Sequence, residues 1–124
     1  MENICQEIIK LLSQGEVAAL ATIISREGSA PRGEGAKCLM EADGSLLGSI
    51  SGGYLENKSW QEAMRAMKDG KYRVLRFELD SQEVKEEGMI CGGKVEVLIE
   101  PLVSSSLDLY RAIAEVIARG EVAA

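Results

Sequence analysis

Apolar residues recur every three or four positions in three stretches of the chain, which is the spacing of amphipathic helices. The first stretch covers residues 4–14, the second covers residues 54–68, and the third follows Ser105 and includes Ile113 and Ile117. Each stretch ends at or near a glycine, which commonly follows the last helical turn. We therefore expect three helices, each with one apolar side packed against the rest of the protein.

Five shorter stretches have the pattern of β-strands. Residues 17–25 are apolar on both faces, which predicts a central strand covered on both sides. The predicted strands are residues 17–25, 36–42, 46–50, 72–79 and 94–100, with a hairpin turn at Asp43-Gly44 and the last strand ended by Pro101. Together these elements predict an α+β fold, in which a mixed, largely antiparallel sheet of about five strands packs with three helices.

Three glycine-rich segments interrupt this pattern, at residues 28–33, 51–53 and 88–93, and we expect them to share one end of the molecule. Glycine has no Cβ, so a ligand can approach its backbone closely, and successive N–H groups in such a turn can bind an anion. A tight turn without a ligand is the simpler interpretation of each segment alone. In the third segment, Cys91 lies between glycines and lacks the aliphatic sequence neighbours of a core cysteine.

Two cations accompany the first segment. Arg32 follows Pro31, whose fixed φ stiffens the turn, and Lys37 lies just beyond the segment. Among backbone donors these two residues form a candidate anion clamp, although a solvated loop is the alternative. We predict that Arg32 and Lys37 lie within reach of the turn at residues 51–53 and define a phosphate-sized pocket with it.

Composition excludes several classes of function. The 124 residues include 14 basic and 20 acidic side chains without a basic stripe, which argues against a nucleic-acid surface. The sequence has no histidine, so neither a common zinc site nor a His-dependent triad is expected. No apolar run is long enough for a membrane helix, and charged residues near the N-terminus argue against a signal peptide. We expect a cytoplasmic protein with reduced thiols and no membrane or nucleic-acid partner.

The three cysteines have different surroundings in the sequence. Cys5 and Cys38 have apolar neighbours in a predicted helix and a predicted strand, so we expect both to be packing residues. We expect Cys91 to be partly exposed, because few nearby residues can shield it. Backbone dipoles and a cation would favour its thiolate.

The last five residues, 120–124, repeat residues 15–19. The first copy leads into a predicted buried strand, whereas the second copy ends the chain. Because an unpaired strand edge invites pairing with another chain, we expect a homodimer or a separate partner chain, with Val122 near the contact.

In their order along the chain, these segments resemble the N-terminal domain of the XdhC/CoxI family. The resemblance is carried by Ala19-Leu20-Ala21-Thr22, Gly28-Ser29-Ala30-Pro31-Arg32, Gly35-Ala36-Lys37, Ser51-Gly52-Gly53 with Glu56, the segment from Gly88 to Gly93, and Glu100-Pro101-Leu102. It covers about residues 5–120, so we expect residues 1–124 to form a single domain of this type. On this interpretation we expect the family's common C-terminal Rossmann-like domain to be absent.

The resemblance implies a chaperone that binds the molybdenum cofactor, molybdopterin, and has no turnover of its own. Its expected partners are a cysteine desulfurase, which sulfurates the cofactor, and the apo-enzyme of a molybdenum hydroxylase such as xanthine dehydrogenase. The expected cofactor-binding residues are Arg32, Lys37, Ser51, Gly52, Gly53, Gly88, Cys91, Gly92 and Gly93. A phosphate suits backbone N–H groups and cations, and molybdenum suits a thiolate, so Cys91 is also the expected metal ligand.

Two other functions remain open from the residues. One is a thiol-dependent enzyme that carries sulfur on Cys91. The other is a structural or regulatory subunit that has lost ligand binding, because many relatives have a cysteine where this chain has Tyr54.

Overall fold

The computed structural model describes residues 2–27, 35–50, 53–78 and 93–120. Within these ranges the chain forms three α-helices and five β-strands, and the predicted α+β fold is confirmed. The elements are α1 (Glu2–Ser13), β1 (Ala18–Glu27), β2 (Lys37–Glu41), β3 (Leu46–Gly48), α2 (Gly53–Asp69), β4 (Arg73–Glu78), β5 (Lys94–Leu102) and α3 (Leu107–Ala118), with a 3-10 turn at Ser104–Ser106 before α3.

The five strands form one sheet in the order β3-β2-β1-β5-β4. All four pairings between the described strands are antiparallel, so this part of the sheet is not mixed. Strand β1 lies at the centre, as its apolar sequence predicts. The hairpin at Asp43-Gly44 is also confirmed, because Gly44 has a φ of 92° and the Glu41 N–H donates to the Ser45 carbonyl at 2.9 Å.

Helix α2 covers one face of the sheet. We call this the α2 face; its core includes Ala21 and Ile23 of β1, Val97 of β5 and Leu55 of α2. Alanines along β1 have short side chains, so the helix can pack close to the sheet. Burial of each large aliphatic side chain contributes about 1.5–3 kcal/mol to folding.

Helices α1 and α3 pack on the opposite face, which we call the α1/α3 face. Its core combines Leu20 of β1, Leu39 of β2 and Leu102 of β5 with Ile8 of α1 and Tyr110 of α3. Alternate residues of β1 thus point to two separate cores, which explains why the strand is apolar on both sides.

Three predicted strand ends are each wrong by two residues: β1 continues to Glu27, β3 stops at Gly48, and β5 passes Pro101. Strand β5 does not end before Pro101 but continues to Leu102. The pairing of β4 with β5 stops at Ile99, so Pro101 lies where β5 is paired only with β1, opposite Ala19. A proline is tolerated at such a position because it lacks the N–H that a second neighbouring strand would need.

Candidate functional site

The described residues that flank the three glycine-rich segments lie at one end of the sheet. Strands β1 and β4 end at Glu27 and Glu78, and both residues pair with Lys94 at the start of β5. On the other side of β1, strand β3 ends at Gly48, which pairs with Cys38 near the start of β2. Because neighbouring strands run in opposite directions, these ends coincide. The expectation that the segments share one end of the molecule is consistent with this register.

Six of the nine predicted site residues lie outside the described residues: Arg32, Ser51, Gly52, Gly88, Cys91 and Gly92. Their predicted roles stay predictions. The structure does describe Lys37, Gly53 and Gly93. Gly53 and Gly93 have φ values of 56° and 125°, a region of backbone conformation that favours glycine.

Lys37 contacts a polar residue of the central strand. Its Nζ donates a hydrogen bond of 3.3 Å to Oγ1 of Thr22, which is its partner in the register of β1 and β2. Thr22 alternates with Ala21 and Ile23, so both polar side chains lie on the α1/α3 face. Helix α2, which begins at Gly53, packs on the other face. The structure therefore places the Lys37 ammonium and the helix that follows the second glycine-rich segment on opposite faces, at the same end of the sheet.

Gly48 allows β3 to pass directly against the backbone of Lys37. Its φ is 89°, and a Cβ built on it would overlap the Lys37 carbonyl oxygen. Any other residue would have to change both its own backbone and the start of β2. Sequence reasoning did not single out Gly48, although an isolated glycine within a predicted strand indicates a bulge or a close approach of another backbone.

Glu56 connects the two sides of the second glycine-rich segment. Its Oε1 accepts hydrogen bonds from the Ser49 hydroxyl at 2.7 Å and from the Ile50 N–H at 3.1 Å. Glu56 lies in the first turn of α2, where a negative charge is favourable. One carboxylate thus holds the residues that precede the segment against the helix that follows it. Sequence reasoning included Glu56 only as part of the family resemblance.

A groove lined by charged residues lies at the same end, on the β4–β5 side of the sheet. We call it the charged groove. It has a volume of about 320 Å³ and is lined by Ser25, Arg76, Phe77, Glu78, Lys94, Val95 and Glu96. Within it, Nε of Arg76 lies 2.9 Å from Oε2 of Glu96. Sequence reasoning read Arg76 and Glu96 only as the polar face of alternating strands, because each strand alone gives no indication of a groove.

A β-bulge determines which way Ser25 points. Ile23 pairs with Val97, but Ser25 pairs with Glu96, so Ile24 is an extra residue in β1. Simple alternation from Ile23 would put Ser25 on the α2 face. The bulge instead turns Ser25 to the α1/α3 face, beside Glu96, and bulges commonly redirect side chains in this way.

Cys5 and Cys38 are fully buried, which confirms that both are packing residues. Burial raises the pKa of both thiols, that of Cys38 to about 11, and the negative charge of Glu56 contributes to the Cys38 shift. Neither thiol is suited to act as a thiolate at neutral pH. Within the described ranges, no group of three His, Cys, Asp or Glu side chains is placed to hold a metal ion.

Tyr54 is partly buried and packs against the core on the α2 face. Its ring meets Phe77 edge to face, with 5.9 Å between the ring centroids, and the Lys58 ammonium lies 5.8 Å from the Tyr54 centroid. The side chain at this position therefore contributes to the packing of α2 against β4.

Comparison with known proteins identifies the family. The model of the XdhC and CoxI family matches residues 11–78, which is more than half of the chain. The chain belongs to the XdhC and CoxI family. The matched range includes Arg32, Lys37 and residues 51–53, and it ends before Cys91.

Three named proteins have sequences similar to that of this XdhC and CoxI chain. The uncharacterised protein YqeB of Escherichia coli K12 is 36% identical over 78% of this chain and 18% of its own length. The molybdenum cofactor insertion chaperone PaoD, from the same organism, is 30% identical over 78% of this chain and 30% of its own length. A probable xanthine dehydrogenase subunit of Bacillus subtilis strain 168 is 28% identical over 98% of this chain and 37% of its own length.

A solved structure has a similar fold. The crystal structure of a xanthine dehydrogenase from Bacillus halodurans superimposes on 90% of this chain with a TM-score of 0.70 and 29% identity. The match covers 33% of that protein. The present chain thus spans between 18% and 37% of the length of these relatives. Among its described residues, no helix is both long enough and apolar enough to cross a membrane.

Proposed function

We propose that this chain binds the molybdenum cofactor and acts as an accessory chaperone for a hydroxylase of the xanthine dehydrogenase type. The observation that carries the proposal is that the flanks of all three glycine-rich segments meet at one end of the sheet. A ligand at this end would be within reach of backbone N–H groups from three separate turns. Membership of a family that includes PaoD supports the choice of ligand.

The residue types of the three glycine-rich segments match the chemistry of the cofactor. Its phosphate requires cations and fixed N–H donors, which Arg32, Lys37 and residues 51–53 would supply. Its molybdenum and dithiolene are soft and would bind a thiolate. Cys5 and Cys38 are buried inside the protein, so this role falls to Cys91, flanked by Gly88, Gly92 and Gly93. The bound cofactor is cargo, and it supplies its redox chemistry only in the hydroxylase that receives it.

The names of the relatives guide the choice of partners. PaoD is named as an insertion chaperone, and the Bacillus subtilis relative is named as part of a dehydrogenase. We infer that the present chain passes its cargo to the apo-enzyme of a molybdenum hydroxylase in the cytoplasm. A cysteine desulfurase would add the terminal sulfur while the cofactor is bound. A homodimer or a separate partner chain remains part of this proposal.

Cofactor retention tests the proposal directly. Cofactor released from a molybdenum enzyme is mixed with the protein under anoxic conditions, and unbound material is removed on a desalting column. We expect molybdenum and oxidised pterin to elute with the protein in near-equal amounts, and the complex to activate an apo-hydroxylase. Elution of the protein without either component would contradict the proposal. Addition of one sulfur atom to Cys91 from a sulfur donor, without cofactor retention, would instead assign the chain to sulfur transfer.

A further inference from the structure

The charged groove continues the polar surface that begins at Lys37. On the α1/α3 face, Lys37 and Thr22 form one row across β2 and β1. Toward the glycine-rich end, the next row consists of Ser25, Glu96 and Arg76, which are neighbours across β1, β5 and β4. The helices cover the first row in part, because Thr22 is buried and Ile4 of α1 lies beside Gly48. In the second row Arg76 is exposed and Glu96 is half-buried, so the polar surface opens toward β4.

The groove also adjoins the segment that contains Cys91. Glu78 is the last residue of β4 and Lys94 is the first residue of β5, so they flank that segment on either side. Both residues line the groove. The chain therefore enters and leaves the segment that contains Cys91 at this groove.

The Arg76–Glu96 pair contributes little to folding. The Arg76 side chain is 77% exposed and the Glu96 side chain is 34% exposed. Ion pairs this exposed add at most about 1 kcal/mol to the free energy of unfolding. The bulge in β1 turns Ser25 toward this exposed ion pair. This arrangement is therefore better explained by ligand recognition than by a contribution to stability.

We propose that the charged groove binds the pterin ring of the cofactor, an inference that rests on the proposed function. An aminopyrimidinone ring presents an amino group, a ring N–H and a carbonyl oxygen along one edge. Glu96 supplies two carboxylate oxygens that accept from the two donors, and Arg76 supplies N–H groups that donate to the carbonyl. Ser25 and Lys94 add further donors at the rim.

The size of the groove agrees with this ligand. Its volume of about 320 Å³ is at the lower end of the range for small-molecule pockets, which begins at about 300 Å³. That space suits a bicyclic ring rather than a whole dinucleotide. With the ring in the groove, the rest of the cofactor would extend from the groove along this end of the sheet.

Binding of a free pterin tests this assignment without molybdenum. The probe is 6-hydroxymethylpterin, whose fluorescence reports binding to the full chain. We expect Glu96→Gln and Arg76→Gln each to weaken binding by at least about tenfold, because each removes a charge-assisted hydrogen bond. The matched control is Glu115→Gln, which alters a similar exposed ion pair between α3 and Arg119 just beyond its end, and should bind like the wild type.

A second probe tests which edge of the pterin ring contacts Glu96. Lumazine has a carbonyl in place of the pterin amino group, so it would set an acceptor against the Glu96 carboxylate. We expect it to bind the wild type at least about tenfold more weakly than the pterin. Equal affinity for both compounds, or unchanged pterin binding by Glu96→Gln, would overturn the groove assignment.

The outcomes separate this inference from the proposed function. If the chain retains the whole cofactor but does not bind free pterin, the groove assignment is overturned and the chaperone role stays intact. Pterin binding that depends on Glu96, in a chain that retains no molybdenum, would support the groove and contradict the chaperone role.

Discussion

Gly48 and Glu56 show how single residues position the glycine-rich end of the sheet. Gly48 lets β3 lie against the Lys37 backbone, and Glu56 holds Ser49 and Ile50 against the start of α2. Neither residue is among the groups assigned to the ligand. Both act by fixing the backbone from which those groups project.

Replacement of Gly48 by alanine should lower the free energy of unfolding by more than the strain of a positive φ alone. The added Cβ would meet the Lys37 carbonyl oxygen, so we expect the free energy of unfolding to fall by roughly 2–4 kcal/mol. Gly44→Ala is the control, since Gly44 has a φ of 92° with open space around it, and it should lose roughly 1–2 kcal/mol. Urea unfolding measures both values. Equal losses would contradict the close approach of β3 and Lys37.

Replacement of Glu56 by alanine should loosen the connection between β3 and α2. It removes two hydrogen bonds to a carboxylate, so we expect a loss of about 1.5–3 kcal/mol in the free energy of unfolding, and weaker cofactor retention. Glu56→Gln keeps an acceptor oxygen and should lose less than half as much. Thermal unfolding and molybdenum retention are the measurements. An alanine variant as stable as the wild type would show that Glu56 does not hold this connection.

At the scale of elements, both faces of the sheet bury weakly acidic groups, and Cys5, whose pKa burial also raises, is one of them. Cys38 lies in the core on the α2 face, and Tyr110 of α3 lies in the core on the other face, where its hydroxyl donates to Oε2 of Glu100 at 2.8 Å. Burial raises the pKa of both groups, and the bond to Glu100 raises that of Tyr110 further. In both groups the folded protein holds its proton more tightly than the unfolded chain does.

Stability should therefore fall in alkaline solution. The pKa of Cys38 rises from 9.0 to about 11 on folding, so between these pH values the unfolded chain loses its proton first and is favoured. Tyr110 adds to the decline above pH 10, the usual pKa of tyrosine. Urea unfolding from pH 7 to 11 measures the slope. Cys38→Ala should flatten it above pH 9 and Tyr110→Phe above pH 10, whereas an unchanged slope in both variants would contradict the assignment.

The sequence predicted the elements well because alternation and helical spacing are local properties. The central position of β1 followed from apolar residues on both faces, and the burial of Cys5 and Cys38 followed from their neighbours. The sequence did not predict the continuation of β5 through Pro101, which depends on where β4 stops. It also did not predict the bulge at Ile24, so the groove beside Ser25 was missed. These features depend on pairing between distant strands.

At the scale of the whole molecule, the antiparallel order of the strands explains why the flanks of segments far apart in sequence meet at one end of the sheet. Sequence reasoning grouped these segments, but only the register shows that Lys37 and α2 lie on opposite faces there. A ligand that uses both would have to bind across the end of the sheet rather than on one face. The chain spans at most 37% of the relatives named above, so its partners are part of the proposal.

Molybdenum retention by a Cys91→Ser variant tests the central claim most directly. The variant and the wild type are loaded with cofactor under anoxic conditions and desalted, and molybdenum per chain is measured beside the melting temperature. Cys38→Ala is the control, because its buried thiol lies in the core and should affect stability but not retention. We expect Cys91→Ser to lose molybdenum while its melting temperature stays unchanged. Full retention of molybdenum by Cys91→Ser would contradict the account.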